Sequence, residues 1–242
     1  MDRARLSSIA HTGRSIAAPL SSTSVDALVS KLCVPMGARV LDVGCGDGEW
    51  LARVVAAYPE VSAEGVDSSP FAVARARTRL AGSAEIHETT ISAFGSHRGV
   101  YGAVLCVGST HAFGGLEETL LGVYQLLGRQ GVALVGEGFW ERPPGDAALA
   151  GLGAGASDFT DLAGVIDRAR RRGFAPYYAH VSSQSEWDEY EFTWVGNLER
   201  HAGQGSNDDA AELRAAAAEH LQGYLGGYRG TLGFVTLLLA RT

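Results

Sequence analysis

The sequence is poor in positive charge of the kind that nucleic acids attract. It has a single lysine, Lys31, and a formal net charge of -7 at pH 7. Binding to DNA or RNA depends on clustered Lys and Arg that displace counterions from phosphates. The densest basic run, Arg168, Arg170, Arg171 and Arg172, falls late in a predicted helix, where cations meet the negative end of the helix dipole. No nucleic-acid partner is expected. Cysteine is equally scarce. Cys33, Cys45 and Cys106 form an odd set without CxxC spacing, which argues against a disulfide framework and a zinc site, so no metal is expected. Long apolar runs are missing too: the longest, near Phe234 to Ala240, is far shorter than the ~20 residues of a membrane helix. The first residues are polar and lack the apolar stretch of a secretory signal. The expectation is a cytoplasmic chain without a membrane partner.

What is present suits an enzyme core. With 46% apolar residues in 242, the chain can bury the interior of one α/β domain. Strand-like runs alternate with helical patterns: Ala38 to Val43, Ala63 to Asp67, Ala84 to Glu88, Tyr101 to Val107, Gly131 to Glu137, Phe174 to Val181 and Leu232 to Ala240. Helices are predicted at Glu49 to Tyr58, Pro70 to Leu80, Leu116 to Leu127 and Asp158 to Arg172, while Gly145 to Ser157 reads as a loose, glycine-rich segment. Such alternation predicts a doubly wound, Rossmann-like, mostly parallel sheet. Ligands of such sheets sit beyond the carboxyl ends of the strands, so residues just after each strand are the candidates.

The segment Val40 to Trp50, VLDVGCGDGEW, carries the strongest signal. A buried strand ends at Val43, and Gly44, Gly46 and Gly48 let the backbone turn sharply against a ligand before a helix begins. The spacing is GxGxG. The dinucleotide fingerprint GxGxxG would need glycine where Glu49 stands, and a carboxylate is a poor neighbour for a pyrophosphate. Asp67, at the end of the next strand, has the position of an acid that accepts ribose hydroxyls.

VLDVGCGDG together with GVDSSP (Gly65 to Pro70) resembles the first two motifs of the class I S-adenosylmethionine-dependent methyltransferases. CVGSTHAFGG (Cys106 to Gly115) and GEGFWERPP (Gly136 to Pro144) are similar to a bacterial subgroup of small-molecule methyltransferases. The resemblance implies a seven-stranded sheet with an antiparallel last strand and S-adenosylmethionine as cofactor. It implies Gly44 and Gly46 under the methionine part, Asp67 on the ribose, Thr90 and Ile91 at the adenine, and Cys106 and Val107 beside the amine. Asp42, Cys45 and Ser68 complete the implied cofactor set. Thr90 stands where many relatives carry an aspartate.

Methyl transfer from a sulfonium needs an aligned nucleophile and, for many acceptors, loss of a proton. Positioning can supply much of the catalysis. His111, just after the fourth strand, is a candidate general base, and Glu137, ending the fifth beside Phe139 and Trp140, is a second catalytic candidate. Trp140 is a candidate acceptor contact. The chain reads as one domain over 1–242, with an N-terminal helical segment at 1–35 and a helical lid inserted at 182–230. Within the insertion, Trp187, Tyr190, Trp194 and Leu198 share a helical face with Glu191, while Glu186, Asp188 and Glu189 are expected to face water. A carboxylate in an aromatic stripe needs a partner, expected to be Arg229, Arg14 or a cationic group of the acceptor. Trp187, Tyr190, Glu191, Trp194 and Arg229 are therefore candidates for binding the acceptor. In the resembling subgroup the N-terminal segment folds over the pocket, which adds His11 and Arg14. The reading is an S-adenosylmethionine-dependent methyltransferase acting on a small molecule. Its rivals are a non-catalytic nucleoside-binding regulator of the same fold and an NAD-dependent oxidoreductase.

Overall fold

A computed structural model of the protein describes residues 3–13, 16–95, 97–204 and 207–242. Arg14 lies outside the described residues. In chain order the elements begin with α1 (Arg3–Ala10), α2 (Ser22–Ser30), β1 (Arg39–Val43), α3 (Glu49–Ala57), β2 (Ser62–Asp67) and α4 (Pro70–Leu80). They continue through β3 (Glu85–Glu88), α5 (Ile91–Phe94), β4 (Tyr101–Val107), α6 (Leu116–Leu126), β5 (Leu127–Trp140), α7 (Asp146–Leu152) and α8 (Leu162–Arg171). Last come β6 (Phe174–Val181), α9 (Gln184–Ala202), α10 (Asn207–Gly223) and β7 (Leu232–Arg241). The seven strands form one sheet in the order β3-β2-β1-β4-β5-β7-β6. Strands β3, β2, β1, β4 and β5 pair in parallel, and β6 pairs antiparallel with β7. This is the expected doubly wound, Rossmann-like sheet, mostly parallel with an antiparallel last strand.

The chain divides into two compact units. One, made of 21–137, 163–181 and 234–242, holds most of the sheet. Its central strands β1, β4 and β7 are nearly continuous buried runs, the pattern of strands covered on both faces, whereas the edge strands β3 and β6 are largely half-buried or exposed. Val40, Leu41, Val104, Leu105, Leu134 and Leu238 are fully buried, each stabilising the fold by roughly 1.5–3 kcal/mol relative to exposure. Helix α3 turns Trp50, Leu51 and Val54 inward, and α4 opens with Pro70 after a Ser69 side chain that accepts from the Ala72 N–H. Strand β5 starts four residues before its predicted start, at Leu127, because a register shift between Tyr101 and Ala103 lets Leu127 pair with Tyr101.

The other unit is made of 1–20, 138–162 and 182–233. Helices α1, α9 and α10 meet over Ile9, Ala10, Leu198, Ala202, Leu213 and Ala217. The Asn197 side chain donates to the Ala10 and Thr12 carbonyls at 2.7 and 2.8 Å, tying the end of α1 to α9. Helix α9 begins with a capping box: Ser183 accepts from the Glu186 N–H, and the Glu186 carboxylate accepts from the Ser183 N–H. Two expectations are corrected in this unit. The stretch 145–157 is not loose throughout, since it contains α7, where Gly151 packs so closely on Gly223 that a Cβ would lie 2.7 Å from the Gly223 carbonyl oxygen. Helix α8 starts at Leu162 and not at Asp158, because Asp158 closes a turn onto the Gly155 N–H and the Thr160 carbonyl bonds Trp140. Among the described residues, no helix is long and apolar enough to cross a membrane.

Candidate active site

Parallel pairing brings the carboxyl ends of β1, β2, β3, β4 and β5 to one edge of the sheet. At the first of these ends, Asp42 is 1% exposed and its Oδ2 has no hydrogen-bond partner. Burial, assisted by the charge of Asp67, pushes its pKa up to about 8. The turn that follows is organised by β2. The Gly44 and Cys45 N–H groups both donate to the Val66 carbonyl, at 2.8 and 3.1 Å. Asp67 accepts from the Gly46 N–H at 2.9 Å through one oxygen and from the Ser69 N–H at 2.8 Å through the other.

Two glycines of the loop differ in kind. Gly44 has φ +70°, and a Cβ there would fall 2.3 Å from the Ser109 Cβ. Gly46 has φ +52°, and a Cβ there would meet nothing within 4 Å. Packing requires the first. The second combines a left-handed backbone with open space beside Asp67.

Ser109 is a residue that the sequence reading passed over. It is buried, and its hydroxyl donates to the Val43 carbonyl at 2.6 Å, so the turn after β4 is pinned to the end of β1. Its place in the segment Cys106 to Gly115, directly after a strand, was the available signal. Cys106 is fully buried with its Sγ 3.3 Å from the Ser109 hydroxyl, and burial pushes its pKa up to about 12. Burial also pushes the Cys45 thiol up. Both cysteines are free.

Val107 ends β4 half-buried; Glu137 is half-buried too but does not end its strand as expected, since β5 runs on to Trp140, and His111 is exposed on a short 3₁₀ turn, Thr110–Ala112, after β4. Ser68 is exposed after β2. Thr90 spends its hydroxyl on capping α5, accepting from the Ala93 N–H at 3.3 Å, and Ile91 follows it half-buried. Glu49 stands at the start of α3, paired with Arg53 at 2.8 Å and Arg79 at 2.5 Å.

The second unit contains His11, Trp140, Trp187, Tyr190, Glu191, Trp194 and Arg229. His11 and Tyr190 share a hydrogen bond of 3.2 Å, and Trp187 packs edge-on against Tyr190 and Tyr228. The Trp187 indole N–H is buried without a hydrogen-bond partner. The Trp140 indole N–H donates to the Ala156 carbonyl at 2.9 Å, and its ring meets Phe159 edge-on. Glu191 is 2% exposed, as helical phase predicts, but its partner is not Arg229. His220 Nε2 lies 2.5 Å from the carboxylate, the Tyr228 hydroxyl bonds it as well, and the His220 ring stacks on Trp194 at 3.8 Å. Arg229 instead grips Asp188 with two hydrogen bonds of 2.8 Å. Asp188 is therefore not simply water-facing, and Glu186 is buried by its capping role; Glu189 alone of the three is exposed. The reading missed His220, which lies 29 residues from Glu191 on another helix, where no periodicity could reveal it.

A methyltransferase-domain sequence profile matches residues 41–133. The uncharacterized protein YjhP of Escherichia coli K12 is 30% identical over 226 residues, 89% of each chain. A SAM-dependent methyltransferase from Thiobacillus denitrificans, solved with S-adenosyl-L-homocysteine, superposes with a TM-score of 0.89 at 26% identity over the whole of both chains. Another, from Geobacter sulfurreducens and also solved with S-adenosyl-L-homocysteine, gives 0.88 at 25% identity over 98% of each. The chain belongs to the class I S-adenosylmethionine-dependent methyltransferases.

The first unit of this methyltransferase fits its cofactor. S-adenosylmethionine pairs a diol and an adenine with a cationic methionine end. Gly46 leaves room where a side chain would stand, and Asp67 keeps acceptor capacity on both oxygens beyond its two backbone bonds. Asp42 offers a buried oxygen with no partner of its own. Glu49, already ion-paired, makes the start of α3 a poor seat for a pyrophosphate.

Proposed function

We propose that this methyltransferase transfers a methyl group to a small molecule, holding S-adenosylmethionine over the loop from Gly44 to Gly48. The observation that carries the cofactor assignment is the open space at Gly46, bordered by an Asp67 carboxylate that the loop itself has oriented. Asp67 would take the ribose hydroxyls, with Ser68 beside it, and Thr90 and Ile91 would border the adenine. Gly44, Cys45, Cys106, Val107 and Asp42 would surround the methionine part. When bound, S-adenosylmethionine supplies a methyl group already activated by its positive sulfur.

The chain's own contribution is to position the acceptor and exclude water. His111, exposed just after β4, is the group assigned to accept a proton from the acceptor, with Glu137, three residues before the end of β5, as the second polar candidate. Acceptor specificity is assigned to the unit bearing His11, Trp140, Trp187, Tyr190, Glu191, Trp194 and Arg229, with Arg14 a further candidate. A net charge of -7 and a single lysine support a small acceptor over a nucleic acid.

The test is incubation with methyl-labelled S-adenosylmethionine and fractionated small-molecule extracts, with nucleic acid and protein as parallel acceptors. Label in a small-molecule fraction is the expected result; label in a macromolecule alone would overturn the reading. With the acceptor in hand, His111→Ala should lower turnover roughly 100-fold while cofactor affinity holds. Near-normal turnover would remove His111 as the base.

A further inference from the structure

We propose that Asp42 is uncharged in the cofactor-free protein and gives up its proton when the cationic methionine end of S-adenosylmethionine binds. The inference rests on the cofactor site assigned above and adds to it a coupling between binding and protonation.

Geometry is the first support. Asp42 lies at the end of β1, between β2 and β4, and is 1% exposed with one carboxylate oxygen unpartnered. An ionised carboxylate in that position would have lost its water without gaining a hydrogen bond at that atom, which is costly. The surroundings make matters worse for a negative charge. Asp67 at the end of β2 acts on Asp42 directly. The Cys45 thiol feels the charges of Asp42, Asp67 and Asp47, the last itself paired with Arg75. On β4 the Cys106 thiol feels the charges of Asp42 and Glu137. The charged side chains acting on Asp42 and on the two cysteines are all acids, and the Ser109 hydroxyl on Cys106 is the one opposing side chain. Burial first, then Asp67, accordingly raise Asp42 to about 8.

An ammonium brought to this end of the sheet reverses the balance, because a nearby cation favours the carboxylate. The acid proton of Asp42 leaves to solvent and the ammonium keeps its own three. Free α-amino groups titrate at about 7.7–8.0, so near pH 6.5 the incoming amine is already charged and does not obscure the count. By linkage, affinity should rise with pH by up to about tenfold per unit while the free protein holds the proton and the complex does not.

The test is calorimetric titration of the native protein with S-adenosylmethionine at pH 6.5, in two buffers of different ionisation enthalpy. The expected result is release of about one proton per cofactor bound, and none from Asp42→Asn. A second readout needs no ligand. A raised folded value means the cofactor-free protein binds this proton more tightly than the unfolded chain does. The resulting stability is full below about 4 and lost as pH rises through about 8. Asp42→Asn should flatten that slope. Proton-neutral binding by the native protein would overturn the inference, whether or not the variant folds. No binding of S-adenosylmethionine at any pH would overturn the cofactor site itself, a separately readable outcome.

Discussion

The Ser109 hydroxyl donates to the Val43 carbonyl at 2.6 Å, and the same side chain fills the space a Cβ on Gly44 would need. The turns after β1 and β4 are thereby locked together at the edge where the cofactor is assigned. Gly44→Ala must displace Ser109 while holding a left-handed backbone. It should lower stability by roughly 2–4 kcal/mol in urea unfolding. Wild-type stability in this variant would mean the two turns are not interlocked.

Asp188 is held down to about 2, first by the Arg229 guanidinium and then by the Tyr224 hydroxyl. The folded value lies below the ordinary one, so this contribution is present above about 4 and lost as pH falls through about 2. Arg229→Gln should return Asp188 towards the ordinary carboxylate range, read by NMR titration of its carboxyl carbon. A carboxyl still titrating near 2 would show that Arg229 is not the main cause.

Glu191 and His220 should be coupled energetically. Glu191→Gln keeps the shape and removes the charge that faces His220 and Tyr228, so stability should fall by roughly 1–3 kcal/mol. In a double-mutant cycle with His220→Gln, the interaction should be on the order of 0.5–3 kcal/mol. Additive effects would contradict the pairing seen at 2.5 Å.

Much of the fold was legible because local rules and global topology agree. The strand from Arg39 to Val43, the glycine turn and the helix from Glu49 follow one another with the spacing the sequence announces. Strand β4 and helix α4 have the predicted bounds. The failures share a physical cause, which is contact between residues distant in sequence. Leu127 joins β5 through pairing across a register shift with Tyr101. The buried face of Glu191 was visible in helical phase, but its partner sits on another helix, and Arg229 is taken by Asp188. Glu186 illustrates a signal present and misread. Ser183 three residues before it spells a capping box, which buries a carboxylate that composition alone would place in water. In the cofactor region, the loop and Asp67 were legible as a motif, whereas the Ser109 bond to Val43 depends on β4 lying beside β1.

The most direct test of the central claim is titration of the native protein and Gly46→Val with S-adenosyl-L-methionine, alongside thermal unfolding of both. Open space at Gly46 means an added Cβ meets no protein atom within 4 Å, so the strain of a left-handed side chain should cost about 1–2 kcal/mol of stability. In the cofactor's space the same side chain should lower affinity by roughly 100-fold or more, equivalent to about 2.7 kcal/mol. The account predicts a folded variant that no longer binds, beside a native protein that binds S-adenosylmethionine and not NAD. A folded Gly46→Val with native affinity would contradict it.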